Sequence, residues 1–287
     1  MVEMYADVGM TEATRILREM AIPVCPPVLA DLMQEARHVH PDITWIIRLI
    51  LQDAELSAAV LKSVNSPLYG LRRKIATVRA ALDTMGLRWC TNLVAGTLLR
   101  RALVSSGAPS MDSYWESLTE RGVIIAYLAR ELGVAEFDDA HTFGLFRDGG
   151  APLMVTKFPD YASWFEVAEV DGVRNITQME RARYGIDHAS IGSMLAKTWF
   201  LPKYIWLPIS LHHLRDEILV SAYPHDDLTR RLIAIGALAD CLSGLHRTPR
   251  SSEYWEREQQ RAYRALGVQP EQLSSLRADV SLLLESP

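Results

Sequence analysis

The stretch that decides the fold is Glu180-Arg-Ala-Arg-Tyr-Gly-Ile-Asp-His-Ala-Ser-Ile-Gly192, because it is long and its sequence is specific. We predict a helix over 174–184, before the central glycine, and a second helix over 188–199 after it. Trp199 closes the second helix and is expected in the core. The pair His212-His213 follows on the next predicted helix, so that histidines come from two neighbouring elements.

Apolar residues elsewhere in the chain also repeat at helical spacing. Between residues 43 and 51, isoleucine and leucine recur at i, i+3, i+4, i+7 and i+8, which places them on one face of a helix. Asp42 and Asp53 stand where N-caps are expected. The helix after Asp53 should end at Asn65, which tolerates the left-handed conformation after a helix. Further helices are predicted over 115–132, 138–147, 150–157, 203–213, 226–244, 253–266 and 270–285.

Strand patterns are nearly absent, so the sequence predicts an all-α protein. The best strand candidate alternates apolar and polar residues over 167–172, but it is too short to change the class. The Ser, Gly and Pro residues of 105–110 form the clearest linker, and 247–252 reads as a second, shorter one. The resulting units are an N-terminal helical part at 15–105, a second part at 110–245 and a C-terminal helical extension at 250–287.

Composition excludes several classes of protein. Of the 287 residues, 49% are hydrophobic and 23% charged, which is typical of a globular chain, not of a disordered one. The net charge of −5 does not indicate a nucleic-acid binder. The three cysteines are far apart and are expected to be reduced thiols. With neither a signal-peptide pattern nor a long apolar run, we expect no membrane association and a cytoplasmic location.

Three ordered stretches resemble the HDOD domain family, a relative of the HD phosphohydrolases found in bacterial signalling. The first is Ile22-Pro23 with Pro26-Pro27, followed by the helix that ends at Asn65-Ser66-Pro67. The second is His-Thr-Phe-Gly-Leu-Phe-Arg-Asp-Gly-Gly at 141–150, and the third is the run at 180–192. Over 15–245, the resemblance implies two packed helical subdomains, of which the second is HD-like.

The resemblance also implies where HD phosphohydrolases would carry their metal ligands. Its His-Asp doublet falls here on Arg147-Asp148, and arginine cannot coordinate a cation because it has no acceptor lone pair. We therefore expect an arginine–carboxylate arrangement in place of a metal, with no cofactor, although a divalent ion remains an alternative. The positions that the resemblance assigns to this degenerate site are Glu116, Arg147, Asp148, His188, His212 or His213, and Asp240.

Three functions fit these expectations. The favoured one is a non-catalytic signal-transduction module that acts through contacts with signalling proteins, in which the histidines are structural hydrogen-bonding residues. The second is a residual metal-dependent phosphohydrolase or phosphodiesterase. The third is a sensor that binds a small nucleotide or another anion in the degenerate pocket, for which the planar fork of Arg147 would suit a phosphate.

Overall fold

The computed structural model describes residues 19–20, 22–66, 69, 71, 73–105, 112–170, 176–220, 227–243 and 252–285. Within these ranges the secondary structure is helical and contains no strand, so the predicted all-α class is confirmed. The N-terminal helices are α1 Pro27–Glu35, α2 Ile43–Leu51, α3 Ala54–Val64, α4 Val78–Met85 and α5 Leu87–Ser105. The next are α6 Asp112–Leu132, α7 Phe137–Arg147, α8 Ala151–Lys157, α9 Tyr161–Val170 and α10 Ile176–Tyr184. The last are α11 His188–Thr198, α12 Lys203–Leu211, α13 Arg215–Val220, α14 Asp227–Ser243, α15 Ser252–Leu266 and α16 Pro270–Glu285.

The predicted N-caps are present. The side chain of Asp42 accepts a hydrogen bond from the Trp45 amide at 2.9 Å, and Asp53 accepts from the Leu56 amide at 3.2 Å. These bonds satisfy N–H groups that a helix leaves without an internal partner. Two of the N-terminal helices therefore begin where the sequence predicts.

Asn65 ends α3, but not by the predicted means. Its φ is −88°, so it does not take the left-handed conformation. Its side-chain amide instead donates to the carbonyls of Leu61 and Ile75, at 2.7 and 2.8 Å, and its side-chain oxygen accepts from the Ile75 amide at 2.7 Å. Asn65 thus fastens the segment around Ile75 to the end of α3, a tertiary role that the local sequence does not show.

The strand candidate at 167–172 is wrong as far as it is described, because α9 continues as a helix to Val170; residues 171–172 lie outside the described residues. Tyr161, Trp164 and Phe165 have the i, i+3, i+4 spacing of a helix face. The ring of Tyr161 packs against both of the others, with centroids 5.9 and 5.4 Å apart. Aromatic packing over this longer stretch outweighs the short alternation.

Helix α7 joins the two parts of the chain, because it packs against α5 and also against α6 and α12. Asn92 on α5 donates its side-chain N–H to the Asp138 carbonyl at 3.0 Å, and Arg88 forms an ion pair with Asp139. The predicted division at 105–110 stays a prediction, since 106–110 lie outside the described residues, as do 247–251 of the second linker.

The C-terminal helices pack on the second part of the chain, where α15 and α16 contact α14 and α16 also contacts α6. Ala262 and Val280 are fully buried there, and the Tyr127 hydroxyl donates to Asp279 at 2.8 Å. The extension therefore covers a face of its own chain. Among the described residues, no helix has the length and apolar character needed to cross a bilayer.

Phe200 has a conformation that normally belongs to glycine. It follows the C-cap of α11 with φ +59°, and the amides of Phe200 and Leu201 donate to the carbonyls of Lys197 and Ala196. This bonding pattern usually places glycine at the left-handed position, because a Cβ there costs about 1–2 kcal/mol. Trp199, just before it, is fully buried as predicted, whereas the Phe200 side chain is 53% exposed.

Replacing Phe200 with glycine is expected to stabilise the protein by up to about 1 kcal/mol, because backbone strain is relieved and about half of the side chain is already exposed. A thermal melt should then show a rise of about 2–4 °C. Thr198→Gly is the matched control, since Thr198 is exposed and helical, and it should lower the midpoint instead. A lower midpoint for Phe200→Gly would show that the aromatic side chain contributes more packing than its exposure suggests.

Candidate functional site

The candidate site lies where the ends of several helices meet the C-terminal part of α14. Arg147 is the last residue of α7, and Asp148 is its C-cap. His188 begins α11, whose start is capped by Asp187 through a 2.8 Å bond from the Ser190 amide. His212 is the C-cap of α12. Helix ends thus carry most of the site's side chains, and α14 contributes a carboxylate, that of Asp240, from its side.

Close backbone packing holds these helix ends together at two glycines. A Cβ on Gly150 would collide with the carbonyl oxygen of His188 and would lie 2.8 Å from the amide nitrogen of Gly192. A Cβ on Gly192 would in turn lie 3.1 Å from the carbonyl oxygen of Phe146. The start of α8, the end of α7 and the first turns of α11 can approach this closely because these positions have no side chain.

Arg147 is buried between two carboxylates. Its Nη2 lies 2.8 and 2.9 Å from the two oxygens of Asp240, and its Nε lies 3.2 Å from Oδ2 of Asp148. The residue is 3% exposed. An arginine stays charged in any folded protein at ordinary pH. The arginine–carboxylate arrangement expected from the sequence is therefore present, and Arg147 provides a permanent positive charge between Asp148 and Asp240.

Two further arginines complete this ion network. Arg215 donates to Oδ2 of Asp240 at 2.6 Å, and Arg121 donates to Oδ2 of Asp148 at 3.1 Å. Burial alone would raise the pKa of Asp240, but the charges of Arg147 and Arg215 outweigh it and lower this pKa to about 2. Burial also opposes the charge of Asp148, yet Arg147 and its hydrogen bonds hold that pKa well below its usual range. Both carboxylates are therefore ionised near neutral pH.

A second cluster lies on the other side of Asp148 and consists of histidines. His188 Nδ1 lies 2.8 Å from both oxygens of Glu180, which also accepts a 2.5 Å bond from the Tyr161 hydroxyl. Burial lowers the pKa of His188, but the charge of Glu180 and the bond to Asp148 raise it to about 10. In the absence of a bound cation, the His188 ring therefore carries a positive charge, compensated by Glu180.

The neighbouring pair of histidines faces the same point. His212 Nδ1 lies 2.7 Å from the Ile209 carbonyl, and its Nε2 lies 3.2 Å from Oδ1 of Asp148. His213 Nε2 lies 3.0 Å from His188 Nε2. Burial and the neighbouring positive charges hold the pKa of His213 well below its usual value. The sequence left open which member of the pair belongs to the site, and the structure brings both into it.

One donor atom from each of four residues meets within 4.8 Å, in an arrangement that could hold a metal ion. The four are Asp148, His188, His212 and His213. The donor set is chemically suitable, because imidazole nitrogen together with a carboxylate oxygen is a common combination for transition metals. Asp240, which the resemblance assigns to the degenerate site, does not belong to this group, because it is engaged by Arg147 and Arg215.

The structure brings together some of the other predicted site residues but not all of them. Arg147, Asp148 and Asp240 meet in the ion network, while the side chain of Glu116 lies outside the described residues. Sequence reasoning missed Glu180 as the partner of His188. The signal was present, because Glu180 opens the same specific run, eight residues before the histidine. Arg121, Arg215 and Tyr161 carried no local signal, since each reaches the site only through the tertiary fold.

Comparison with known proteins identifies the relatives of this chain. A sequence model of the HDOD domain family matches residues 22–214. An uncharacterised protein of Treponema pallidum (strain Nichols) is 26% identical over an alignment of 211 residues that covers 71% of this chain. Those residues span 40% of the Treponema protein, so this chain corresponds to less than half of that relative.

Solved structures show the same fold. An HDOD domain protein of unknown function from Geobacter sulfurreducens has a TM-score of 0.68 and 20% identity, covering 97% of this chain and 99% of that one. A provisionally named phosphohydrolase from Shewanella amazonensis SB2B has a TM-score of 0.66 and 19% identity, covering 94% and 93%. At these identities the likeness establishes the architecture and leaves the chemistry to be argued from the site.

Proposed function

The chain belongs to the HDOD domain family, and from this membership together with its buried ion network we propose that it is a non-catalytic signalling module acting through protein–protein contacts. The observation that carries the proposal is the position of Arg147. Its guanidinium pairs with the two carboxylates, Asp148 and Asp240, that a metal-dependent hydrolase of this fold would use as ligands. The guanidinium group of Arg147 thus takes the place of a catalytic metal ion.

The chemistry of phosphate-ester hydrolysis supports this reading. A two-metal site clamps the attacking and leaving oxygens between ions about 3.5–4 Å apart. Arginine neutralises charge, but it offers no open coordination position at which a water could become a nucleophile. Because Arg147 is bound to both Asp148 and Asp240, one of the two metal positions of such a site is occupied by its guanidinium group. Regulation by contact with a signalling protein needs the fold and its surface, not turnover.

The protein is expected not to hydrolyse phosphate esters. The measurement is release of nitrophenol from bis-p-nitrophenyl phosphate, and of phosphate from nucleotides, with manganese or magnesium present. The His188→Ala variant is the control, because it removes a side chain that any residual metal site would need. Rates equal in both proteins support the proposal. Turnover that is present in the unaltered chain and lost in His188→Ala would establish a residual enzyme.

The phosphohydrolase alternative is kept because of the cluster formed by Asp148, His188, His212 and His213. A single ion held there would supply Lewis acidity to a phosphate oxygen. The flanking groups would favour an anionic substrate, since Arg121, Arg147 and Arg215 outnumber the two carboxylates of the network. The hydrolysis assay decides between this alternative and the regulatory module.

In the anion-sensor alternative, the contacts favour arginines other than Arg147 as the anion-binding residues. Arg147 is engaged by both carboxylates and its side chain is 4% exposed, so its fork is not presented to a phosphate. The side chains of Arg121 and Arg215 are 16% and 15% exposed and lie closer to solvent. A thermal-shift series with nucleotides and phosphate, repeated on Arg215→Gln, separates a sensor from a module without a small-molecule ligand.

A further inference from the structure

We propose that Phe200 is the centre of a docking surface for an acidic segment of a partner protein that also carries an apolar side chain. The surface, which we call the Phe200 patch, consists of Phe200, Val24, Val39, Arg37, Lys197 and Lys203. Phe200 follows the C-terminal end of α11, whereas His188 begins that helix. At 1.5 Å per helical residue, the patch lies about 15 Å from His188 along the helix. The inference rests on the proposed function, because a module that acts through contacts needs a surface for its partner.

The backbone of Phe200 makes the fold less stable without a matching gain in packing. Its φ of +59° lies in the left-handed region, where a Cβ is unfavourable and glycine is the usual residue. More than half of its side chain is exposed, so burial does not offset this strain. Strained residues and exposed apolar patches both concentrate at binding sites. The phenyl ring is therefore explained by a contact outside the fold.

Two hydrogen bonds fix Phe200 between the N-terminal segment and the end of α11. Arg37 donates from Nη2 to the Phe200 carbonyl at 3.0 Å. The ring nitrogen of Trp199, whose side chain is fully buried, donates to the Pro23 carbonyl at 2.9 Å. Residues from both parts of the chain thus meet around the exposed ring. A surface held in this way loses little conformational freedom on binding, which favours affinity.

Two exposed valines accompany the ring. Val24 follows Pro23 and is 83% exposed, and Val39, two residues after Arg37, is 89% exposed. Because Pro23 and Arg37 bond to residues at the end of α11, both valines belong to the same region of the surface. In the described part of the chain, the other large hydrophobic residues that are exposed are Leu51, Leu71 and Leu282. Half of such residues therefore belong to the Phe200 patch.

Cations surround the ring and determine the charge of the partner. Lys197 and Lys203 stand three residues before and after Phe200, and both are exposed, as is Arg37. Within the described residues, none of these three cations forms an ion pair with a carboxylate. From residue 188 to residue 215 the sequence contains no aspartate or glutamate. The patch is thus positive although the whole chain carries a net charge of −5.

The nearest carboxylate along the chain does not neutralise the patch. Glu35, two residues before Arg37, accepts from the Asp42 amide at 2.7 Å and pairs with His38 at 3.2 Å. A partner segment with carboxylates beside an aromatic or aliphatic side chain therefore matches the patch in charge and in polarity. An anionic membrane is the less suitable occupant, because three apolar residues from separate segments lack the long apolar face of an interfacial helix.

The test identifies the chemistry of the partner by selection from a random phage-displayed peptide library. The library is depleted on Phe200→Gly and then selected on the unaltered full-length protein. We expect the selected peptides to combine acidic residues with phenylalanine, tryptophan or leucine. A synthetic peptide of the selected sequence should bind Phe200→Gly about 10-fold more weakly in fluorescence anisotropy, because aromatic anchors dominate such contacts. Selected peptides that are not acidic, or none that distinguishes the two proteins, would refute the proposal.

Lys203→Glu tests the charge of the patch with a change that preserves the fold, since glutamate is favoured in the first turn of α12. It should weaken binding of the selected peptide several-fold and reduce the dependence of binding on salt. Lys62→Glu, at an exposed lysine of α3, is the matched control for charge, and Leu51→Ala is the control for an exposed apolar side chain. Neither control should alter the affinity. An equal loss in Lys62→Glu would mean that the attraction is not specific to the patch and would count against the proposal.

Two other occupants give different results. Vesicles of phosphatidylserine that sediment with the unaltered chain but not with Phe200→Gly would assign the patch to a membrane and overturn the proposal. A dimer of the unaltered chain that dissociates in Phe200→Gly, measured by analytical ultracentrifugation, would assign the patch to a second copy and overturn it too. If the peptide selection fails, the Phe200 patch is refuted and the non-catalytic module stands. Turnover that is lost in His188→Ala instead overturns the proposed function, without a change in peptide binding.

Discussion

Replacing Arg147 with methionine is expected to lower the free energy of unfolding by about 3 kcal/mol or more, near the lower end of the 3–5 kcal/mol typical of breaking a buried ion pair. Arg147 is 3% exposed and bonds to both Asp148 and Asp240. Its removal leaves these carboxylates with less compensation in a buried setting. Arg121 and Arg215 remain as their other partners, which keeps the loss near the lower end of that range.

The control for this experiment is Arg130→Met. Arg130 pairs with Glu131 on the surface, where both side chains are more than 40% exposed, and such pairs contribute about 0–1 kcal/mol. Urea unfolding of the three proteins measures both differences. Equal losses for Arg147→Met and Arg130→Met would mean that water reaches the ion network and screens it.

The Arg147 effect should also depend on pH. Asp240 has a pKa lowered to about 2 in the folded protein, against about 3.9 for an unfolded aspartate. A lowered folded pKa contributes stability above the unfolded value, and this contribution is lost as the pH falls through the folded value. The gap between the unaltered protein and Arg147→Met should therefore be largest above pH 4 and shrink between about pH 4 and pH 2.

Gly150→Ala is expected to destabilise the protein by about 3 kcal/mol, at the upper end of the usual cost of overpacking, or to prevent folding. The added methyl group meets the His188 carbonyl oxygen and the Gly192 amide nitrogen, which are backbone atoms and cannot rotate aside as a side chain would. Helix α11 would have to move away from α8. His188 would move with it, so the spacing between His188 and Asp148 should change together with stability.

Gly133→Ala separates this collision from the ordinary effect of adding a methyl group to glycine. Gly133 has φ +61° and open space around its Cα, so alanine there costs about 1 kcal/mol of backbone strain and causes no clash. Denaturant unfolding and the yield of folded protein compare the two variants. If Gly150→Ala is no more damaging than Gly133→Ala, then α8 and α11 are not held together as closely as described.

Local patterns in the sequence predicted the helices, because caps and apolar spacing act over a few residues. Asp42 and Asp53 illustrate this, since each bonds within its own helix start. The resemblance also showed that Arg147 stands where a histidine would be expected. Its bond to Asp240 was not visible in the sequence, because the two residues are 93 positions apart and meet through the packing of α7 on α14.

The histidine cluster also depends on contacts that the sequence does not show. Family spacing assigns single ligand positions, whereas the geometry depends on which ring nitrogen each outer partner occupies. Glu180 and the Ile209 carbonyl decide that for His188 and His212. A backbone carbonyl has no signature in a sequence, and a glutamate can serve many purposes. The helices could therefore be predicted from the sequence, whereas the geometry of the site could be described only from the three-dimensional structure.

The guanidinium of Arg147 differs from any bound ion in one further respect, which is that it cannot dissociate. A metal between Asp148 and Asp240 would be present according to its supply in the cell and could be withdrawn by a chelator or exchanged for a competitor. A charge attached to the chain is made with every copy of the protein and stays at the same place for its lifetime. The junction of α7 and α14 is thereby independent of metal availability.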